Sequence, residues 1–266
     1  MSQSLLSLTK VVKKRPGGRG YELNVQDLRL TVNSRVALVG DSGSGKSTLL
    51  DLAALILKPD KASGFFWRPQ SPSAVDLFRA WEKKEIQLLE RIRREELGYV
   101  TQTGGLLPFL SVKDNILLPT KLKKIPKKKA LVSLYRLAEE LKIVDLLAKI
   151  PSKLSVGQRQ RVAIARALAH QPSLILADEP TASLDPPTAR QALDLLLTLS
   201  HSRALIVSTH NLDLIKDQGF LIYKVECGTQ GPDQPVIASL VGPLDFTLAK
   251  EGFSSEPKRL GAQSSP

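Results

Sequence analysis

The run Gly40-Asp41-Ser42-Gly43-Ser44-Gly45-Lys46-Ser47, followed by Thr48, has the composition of a phosphate cradle. Its glycines let the backbone curl so that successive N–H groups point at phosphate oxygens. Lys46 brings a mobile positive charge for the outer phosphates, and the Ser47 hydroxyl is a hard oxygen ligand for Mg²⁺. The pattern is G-x-x-x-x-G-K-[ST], set after an apolar run and before a helical one. Far along the chain, Asp178-Glu179-Pro180 follows Leu174-Ile175-Leu176-Ala177. A carboxylate at a buried strand's end can hold Mg²⁺, and Glu179 beside it can polarise a water in line with a terminal phosphate. A third constellation is Leu154-Ser155-Val156-Gly157-Gln158. Ser155 with Gln158 three residues on has the form of a helix capping box, which puts a hydroxyl and backbone donors at a positive helix end. The chemistry is phosphoryl transfer to water.

These groups need elements to carry them. Val36-Ala37-Leu38-Val39, Leu174-Ile175-Leu176-Ala177 and Ala204-Leu205-Ile206-Val207 are short apolar runs without polar alternation. Such runs suit parallel strands buried on both faces, and open parallel sheets bind ligands at strand carboxyl ends. The phosphate loop precedes a helical run from Thr48 to Leu57. Between Thr103 and Gln171 the spacing turns helical, with Leu131, Leu134, Tyr135, Leu137, Leu141, Val144 and Leu147 on one stripe. That stretch, about 104–170, predicts a helical subdomain inserted into the sheet domain. A second helix of 158–170 ends before Pro172. Residues 68–96 predict a further helical stretch with Phe78, Trp81, Ile86, Leu89 and Ile92 on one side, a core-packing pattern more than a partner site. Tyr21, Leu23 and Val25 alternate as a strand does. The expected layout is one domain over 1–253, with 254–266 a disordered tail.

Composition narrows the setting. The chain has 266 residues, 42% of them hydrophobic, enough for one large core. Its single cysteine, Cys227, excludes an internal disulfide and suits a reducing compartment. No apolar stretch has the length to cross a bilayer, and no apolar segment follows the early lysines as in a signal peptide. The net charge is +12, with six lysines between Lys121 and Lys129 and a second cluster at Lys10, Lys13, Lys14, Arg15 and Arg19. That fits a solvated surface, an anionic membrane or a nucleic acid. No aromatic interleaving or nucleic-acid motif favours the last. His170 and His201 read as surface or capping residues rather than catalytic ones.

Taken in order, these motifs resemble the ATP-binding cassette (ABC) ATPases over roughly residues 5 to 225. Gly98-Tyr99-Val100-Thr101-Gln102 resembles the strand leading into the family's Q-loop, Ser183-Leu184-Asp185 its D-loop, and Ser208-Thr209-His210 its switch region. The 154–158 segment resembles the family signature, with Val156 where glycine is usual. The resemblance implies an α/β fold: a P-loop NTPase (RecA-like) core sheet, an inserted helical signature subdomain and a small N-terminal β subdomain. It implies ATP and Mg²⁺ as cofactors. Gly40 to Thr48 would bind the phosphates; Ser47, Gln102 and Asp178 would hold the metal; Glu179, His210 and Gln102 would be catalytic. Ser155, Gly157 and Gln158 would grip an ATP held by a second ATPase subunit, a homodimer partner or paralogue. Tyr21 either stacks on adenine or packs in its strand.

The stretch Leu106 to Ile116, with Leu118-Pro119, is similar to the lipoprotein-release and macrolide-export branch. That branch implies integral membrane permease partners and a place on the cytoplasmic face of a bacterial inner membrane. The other reading is a non-transport ABC ATPase acting on nucleic acid or ribosomes, favoured only by the charge. The chain also runs roughly thirty residues past the family's usual end.

Overall fold

The structure is a computed structural model and describes residues 4–15, 20–68, 74–229, 235–246 and 249. The tail expected from 254 onward lies outside the described residues. Among the described residues ten strands form one sheet: β1 (Ser4–Arg15), β2 (Tyr21–Thr31), β3 (Arg35–Val39), β4 (Gly64–Trp67), β5 (Val75–Asp76), β6 (Leu97–Val100), β7 (Leu174–Asp178), β8 (Ala204–Thr209), β9 (Leu221–Thr229) and β10 (Val236–Leu244). Their order is β5-β4-β1-β2-β10-β9-β3-β8-β7-β6. From β9 to β6 the pairing is parallel throughout. On the other side β10 runs antiparallel to β9 and parallel to β2, and β1, β4 and β5 add antiparallel pairs.

Alternation divides the core. Val36, Leu38, Leu174, Leu176, Ala204 and Ile206 face one side, packed with β1, β2 and α1 (Lys46–Ala53). Ala37, Val39, Ile175, Ala177, Leu205 and Val207 face the other. There they meet α4 (Val112–Leu122), α5 (Lys127–Glu140), α6 (Val156–Leu168) and α7 (Pro186–Leu199). Every central strand is therefore apolar on both faces, as parallel strands covered by helices must be. The helices of the expected inserted subdomain share one continuous apolar cluster with this sheet face.

Four expectations need correcting. Residues 77–96 form two helices, α2 (Leu77–Glu82) and α3 (Ile86–Glu96), because Lys84 takes a left-handed φ of 56° and breaks the run. Leu77, Ala80, Leu89 and Ile92 are buried and Phe78 and Trp81 pack against them, but Ile86, at the first turn of α3, is exposed. Tyr135 and Val144 also face outward, although Leu134, Leu137 and Leu141 are buried as the stripe requires. His170 is buried rather than a surface residue. Burial takes its pKa down to about 4, with Lys123 and Arg203 also lowering it and the bond from Nε2 to Leu97 O (3.0 Å) opposing. The helical run after the phosphate loop is shorter than expected, since α1 ends at Ala53 and Leu55 is left-handed.

Candidate functional site

The phosphate loop joins the end of β3 to α1. Gly45 is the residue before α1 and has φ 108°, a conformation that disfavours a side chain. Space forbids one too: a Cβ there would fall 1.6 Å from the Tyr21 hydroxyl. No side chain caps α1, and its first turn holds no acid. Its leading N–H groups and its dipole are thus open to an anion. Lys46 is 4% exposed. Its Nζ donates to the carbonyls of Gly40 and Asp41 at 2.8 Å each and lies 3.4 Å from Glu179 Oε1. The Ser44 hydroxyl is buried without a hydrogen-bond partner. Uncapped N–H donors, a buried ammonium and an orphan hydroxyl fit a polyphosphate.

The two acids are fixed by one residue. Ser208, wholly buried at the end of β8, donates its hydroxyl to Asp178 Oδ1 at 2.7 Å and accepts the Glu179 N–H at 2.8 Å. Glu179 has φ 42°, a left-handed backbone that a glutamate adopts at a cost of order 1 kcal/mol. The turn swings its carboxylate over the loop, where Oε1 meets Lys46 and Oε2 lies 3.2 Å from His210 Nδ1. Lys46, Glu179 and His210 therefore form one chain of polar contacts. Ser47 and Gln102 line the same cleft as Glu179, Asp178 is joined to Glu179 through Ser208, and each can offer an oxygen ligand. Among the described residues no group of three or more His, Cys, Asp or Glu could hold a metal. A divalent ion here would need phosphate oxygens and water to complete its shell, which is how Mg²⁺ is usually bound.

A cleft of about 320 Å³ is lined by Arg15, Tyr21, Ser42, Gly43, Gly45, Lys46, Ser47, Thr48, Gln102 and Glu179. The structure thus brings the loop, Gln102, Glu179 and Tyr21 together. Tyr21 donates its hydroxyl to Ser44 O at 2.8 Å, and burial holds that phenol's pKa above its ordinary value.

The signature residues do not line that cleft. The capping box at the start of α6 is formed: Ser155 Oγ accepts from Gln158 N at 3.2 Å and Gln158 Oε1 accepts from Ser155 N at 2.9 Å. Val156 is 44% exposed, so its extra bulk faces outward. Gly157 sits against α7, where a Cβ would come 3.2 Å from Thr188 Cγ2. The signature helix is also tied to the Gln102 loop. Arg166 on α6 donates to the carbonyls of Gly104 (2.9 Å) and Gly105 (2.7 Å). Asn115 on α4 holds the next stretch through Leu107, Leu110 and Ser111.

In the sequence Ser208 stands only as the first residue of the run that ends in His210, and its hold on the two acids comes from the pairing of β7 with β8. The Ser-Thr-His run at a strand end was the available signal. Arg15 is one member of a basic cluster in the sequence, and its place in the cleft comes from the pairing of β1 with β2. Nothing in sequence spacing signals the Arg166 clasp.

A family model described as ABC transporter matches residues 23–182. The chain is 39% identical over 215 residues to the lipoprotein-releasing system ATP-binding protein LolD of Legionella pneumophila (strain Paris), covering 79% of this chain and 90% of that one. It is 38% identical over 221 residues to LolD 1 of Rhodospirillum rubrum, covering 81% and 93%. Among solved structures, a dimeric post-hydrolysis state of the ATP-binding cassette MJ0796 bound to ADP and Pi is similar at a TM-score of 0.65 and 29% identity, covering 82% of this chain and 93% of that one. The cbiO1 cassette of Clostridium perfringens shares the fold, at a TM-score of 0.68 and 24% identity over 94% and 93% of the two chains. The chain belongs to the ABC transporter family, as an ATP-binding subunit that hydrolyses ATP.

Proposed function

We propose that two copies of this chain, or this chain and a paralogue, hold two ATP molecules between them and drive lipoprotein release through a membrane permease. Each ATP rests on one subunit's Gly40–Thr48 loop and beneath the other's Ser155, Gly157 and Gln158. The observation that carries this reading is the separation of the two anion seats: the signature at the start of α6 contributes nothing to its own chain's cleft. Closed-ring symmetry lets two such chains complete each other's sites.

In that arrangement Lys46 gives up Glu179 as a partner and takes phosphate oxygens. Glu179 then orients and deprotonates the attacking water, and His210 holds Glu179 through Oε2 while facing the terminal phosphate. Ser208 keeps Asp178 and Glu179 in register. Ser47, Asp178 and Gln102 would hold Mg²⁺, which when bound neutralises charge on the outer phosphates. Movement of Gln102 on binding and release reaches α6 through Gly104, Gly105 and Arg166, so nucleotide state and signature position are coupled.

Lipoprotein release is supported by the likeness to the LolD proteins across most of the chain. The permease partner and a place at the cytoplasmic face of the inner membrane follow from the same likeness. No helix among the described residues is long and apolar enough to cross a membrane, so membrane attachment would come through the partner. Depleting the chain in its host and following lipoproteins between the two membranes tests the reading. Retention of lipoproteins in the inner membrane is the expected result; normal sorting would remove the lipoprotein assignment while leaving the ATPase intact.

A further inference from the structure

The lysines between Lys121 and Lys129 take no part in the nucleotide site. They lie on the last turn of α4, the turn after it and the first turn of α5, and none lines the cleft. The two basic clusters of the chain differ in how their charge is met. On β1, Lys13 pairs with Asp60 at 3.1 Å, Lys14 with Glu22 at 3.3 Å and Arg15 with Asp51 at 3.9 Å. In the other cluster Lys121 lies 3.4 Å from Asp114, and Lys123 donates to the carbonyls of Glu95 and His170. Lys124, Lys127, Lys128 and Lys129 are exposed, and among the described residues none of them has a carboxylate partner.

Three of these sit where a helix least favours them. Lys127, Lys128 and Lys129 open α5, whose first turn holds no acid and whose start at Pro126 has no side-chain cap. The positive end of a helix repels cations, and neighbouring like charges repel one another. The acids Glu139 and Glu140 lie at the other end of α5, where Glu140 is paired with Arg136 at 3.7 Å. The charge is held against the helix dipole without an internal counter-ion. An external anionic surface relieves both costs.

Apolar side chains stand in water beside the lysines. Val132 and Tyr135 follow Lys128 at i+4 and i+7, one stripe of the helix, and are 65% and 46% exposed. Leu122, inside the lysine run, is 55% exposed. A bilayer interface takes both kinds of group, with headgroup phosphates against the ammonium ions and apolar tips at the acyl boundary. A nucleic acid would use the charge and leave the apolar side chains in water. Arginine, the residue suited to bidentate phosphate and base contacts, is absent from 121–129.

We propose that this surface, the α4–α5 turn with the outer stripe of α5, rests on the anionic lipid headgroups of a bilayer, a direct contact in addition to the permease. It is separable from the nucleotide site, since none of its residues lines the cleft.

The test is co-sedimentation of the full chain with vesicles of phosphatidylcholine alone and of phosphatidylcholine with about 30% phosphatidylglycerol, at roughly 0.1 M salt. Wild type should bind the anionic vesicles at least about tenfold more tightly than the neutral ones. The fourfold variant Lys124→Gln/Lys127→Gln/Lys128→Gln/Lys129→Gln should bind the anionic vesicles at least about tenfold more weakly than wild type. It should keep the wild-type ATPase rate and melt no lower, because the lysines it removes oppose the helix dipole. Lys10→Gln/Lys13→Gln/Lys14→Gln takes nearly as much charge from the β1 cluster and should bind within about twofold of wild type. Val132→Ser/Tyr135→Ser should bind about threefold more weakly. Equal binding of wild type to both vesicles, or of the fourfold variant and wild type to the anionic ones, would overturn the proposal. Equal losses in the two lysine variants would also overturn it, by making the effect one of net charge alone. Unchanged binding by the Val132 and Tyr135 variant would overturn the apolar contact and with it the preference for a bilayer. Binding to duplex DNA or RNA that exceeds vesicle binding at the same salt, and disappears in the fourfold variant, would assign the surface to nucleic acid instead.

Discussion

Two helices of this chain begin at phosphate-like seats, and they are finished differently. The N-terminus of α1 is left open: no side chain caps it, Gly45 gives the backbone its turn, and a buried lysine stands over it. The N-terminus of α6 is closed by its own side chains, Ser155 and Gln158, and is exposed, with Val156 at its edge. The open seat lies in a cleft with Glu179 and Gln102; the closed one lies outside that cleft. An open helix end inside a walled cleft is a site the chain completes for itself. A capped, exposed end is stable without a ligand and can be offered to a neighbour. In the proposed arrangement the first seat accounts for binding, and the second for dependence on a second subunit.

The largest effect is expected at the acid over the open seat. Glu179→Gln should slow hydrolysis by about 10²- to 10⁴-fold, the range for loss of a general base. ATP binding should persist, and an ATP-held dimer should appear on size exclusion. Unchanged steady-state turnover would show that Glu179 is not the base. Lys46→Ala removes the buried cation from the same seat. ATP affinity should fall by roughly 10- to 100-fold, the usual value of charged hydrogen bonds, measured by titration.

Ser155→Ala acts on the other seat and should separate the two. Loss of the cap should cost about 1 kcal/mol of stability, read from denaturant midpoints. Hydrolysis should fall while ATP affinity of the isolated chain stays as it was; a matching loss of affinity would merge the two seats into one.

The smallest effect lies just beyond the far end of α6, at His170. Its folded pKa, about 4, is below the ordinary 6.5, so the unfolded chain binds the proton more readily. The stability from keeping it neutral is present above pH 6.5 and is lost as pH falls toward 4. Between pH 7.5 and 6 the loss should be on the order of 1 kcal/mol, and His170→Gln should flatten that part of the profile. An unaltered pH profile in the variant would show that His170 is not its source.

The seats themselves were legible in sequence because each is a local event. The phosphate loop, the acids after Ala177 and the capping box are contiguous runs whose spacing carries their chemistry. The parallel strands were legible because burial on both faces removes polar residues from them. What was not legible depends on pairing between distant segments. Ser208 reaches Asp178 and Glu179 only because β7 and β8 are neighbours. Arg15 enters the cleft only because β1 ends opposite Tyr21. The break at Lys84 between α2 and α3 escaped because a lysine carries no turn signature, and Tyr135 and Val144 escaped because an apolar residue at the stripe's edge can face either way.

In the proposed arrangement each chain keeps one half of an active site and offers the other half to its partner. Mixing two inactive variants, Lys46→Ala and Ser155→Arg, tests it most directly. A mixed dimer pairs the intact loop of the second with the intact signature of the first. Equal amounts should recover up to about a quarter of the wild-type ATPase rate, since half the dimers are mixed and each restores one of two sites. A mixture no more active than its separate components would contradict the account.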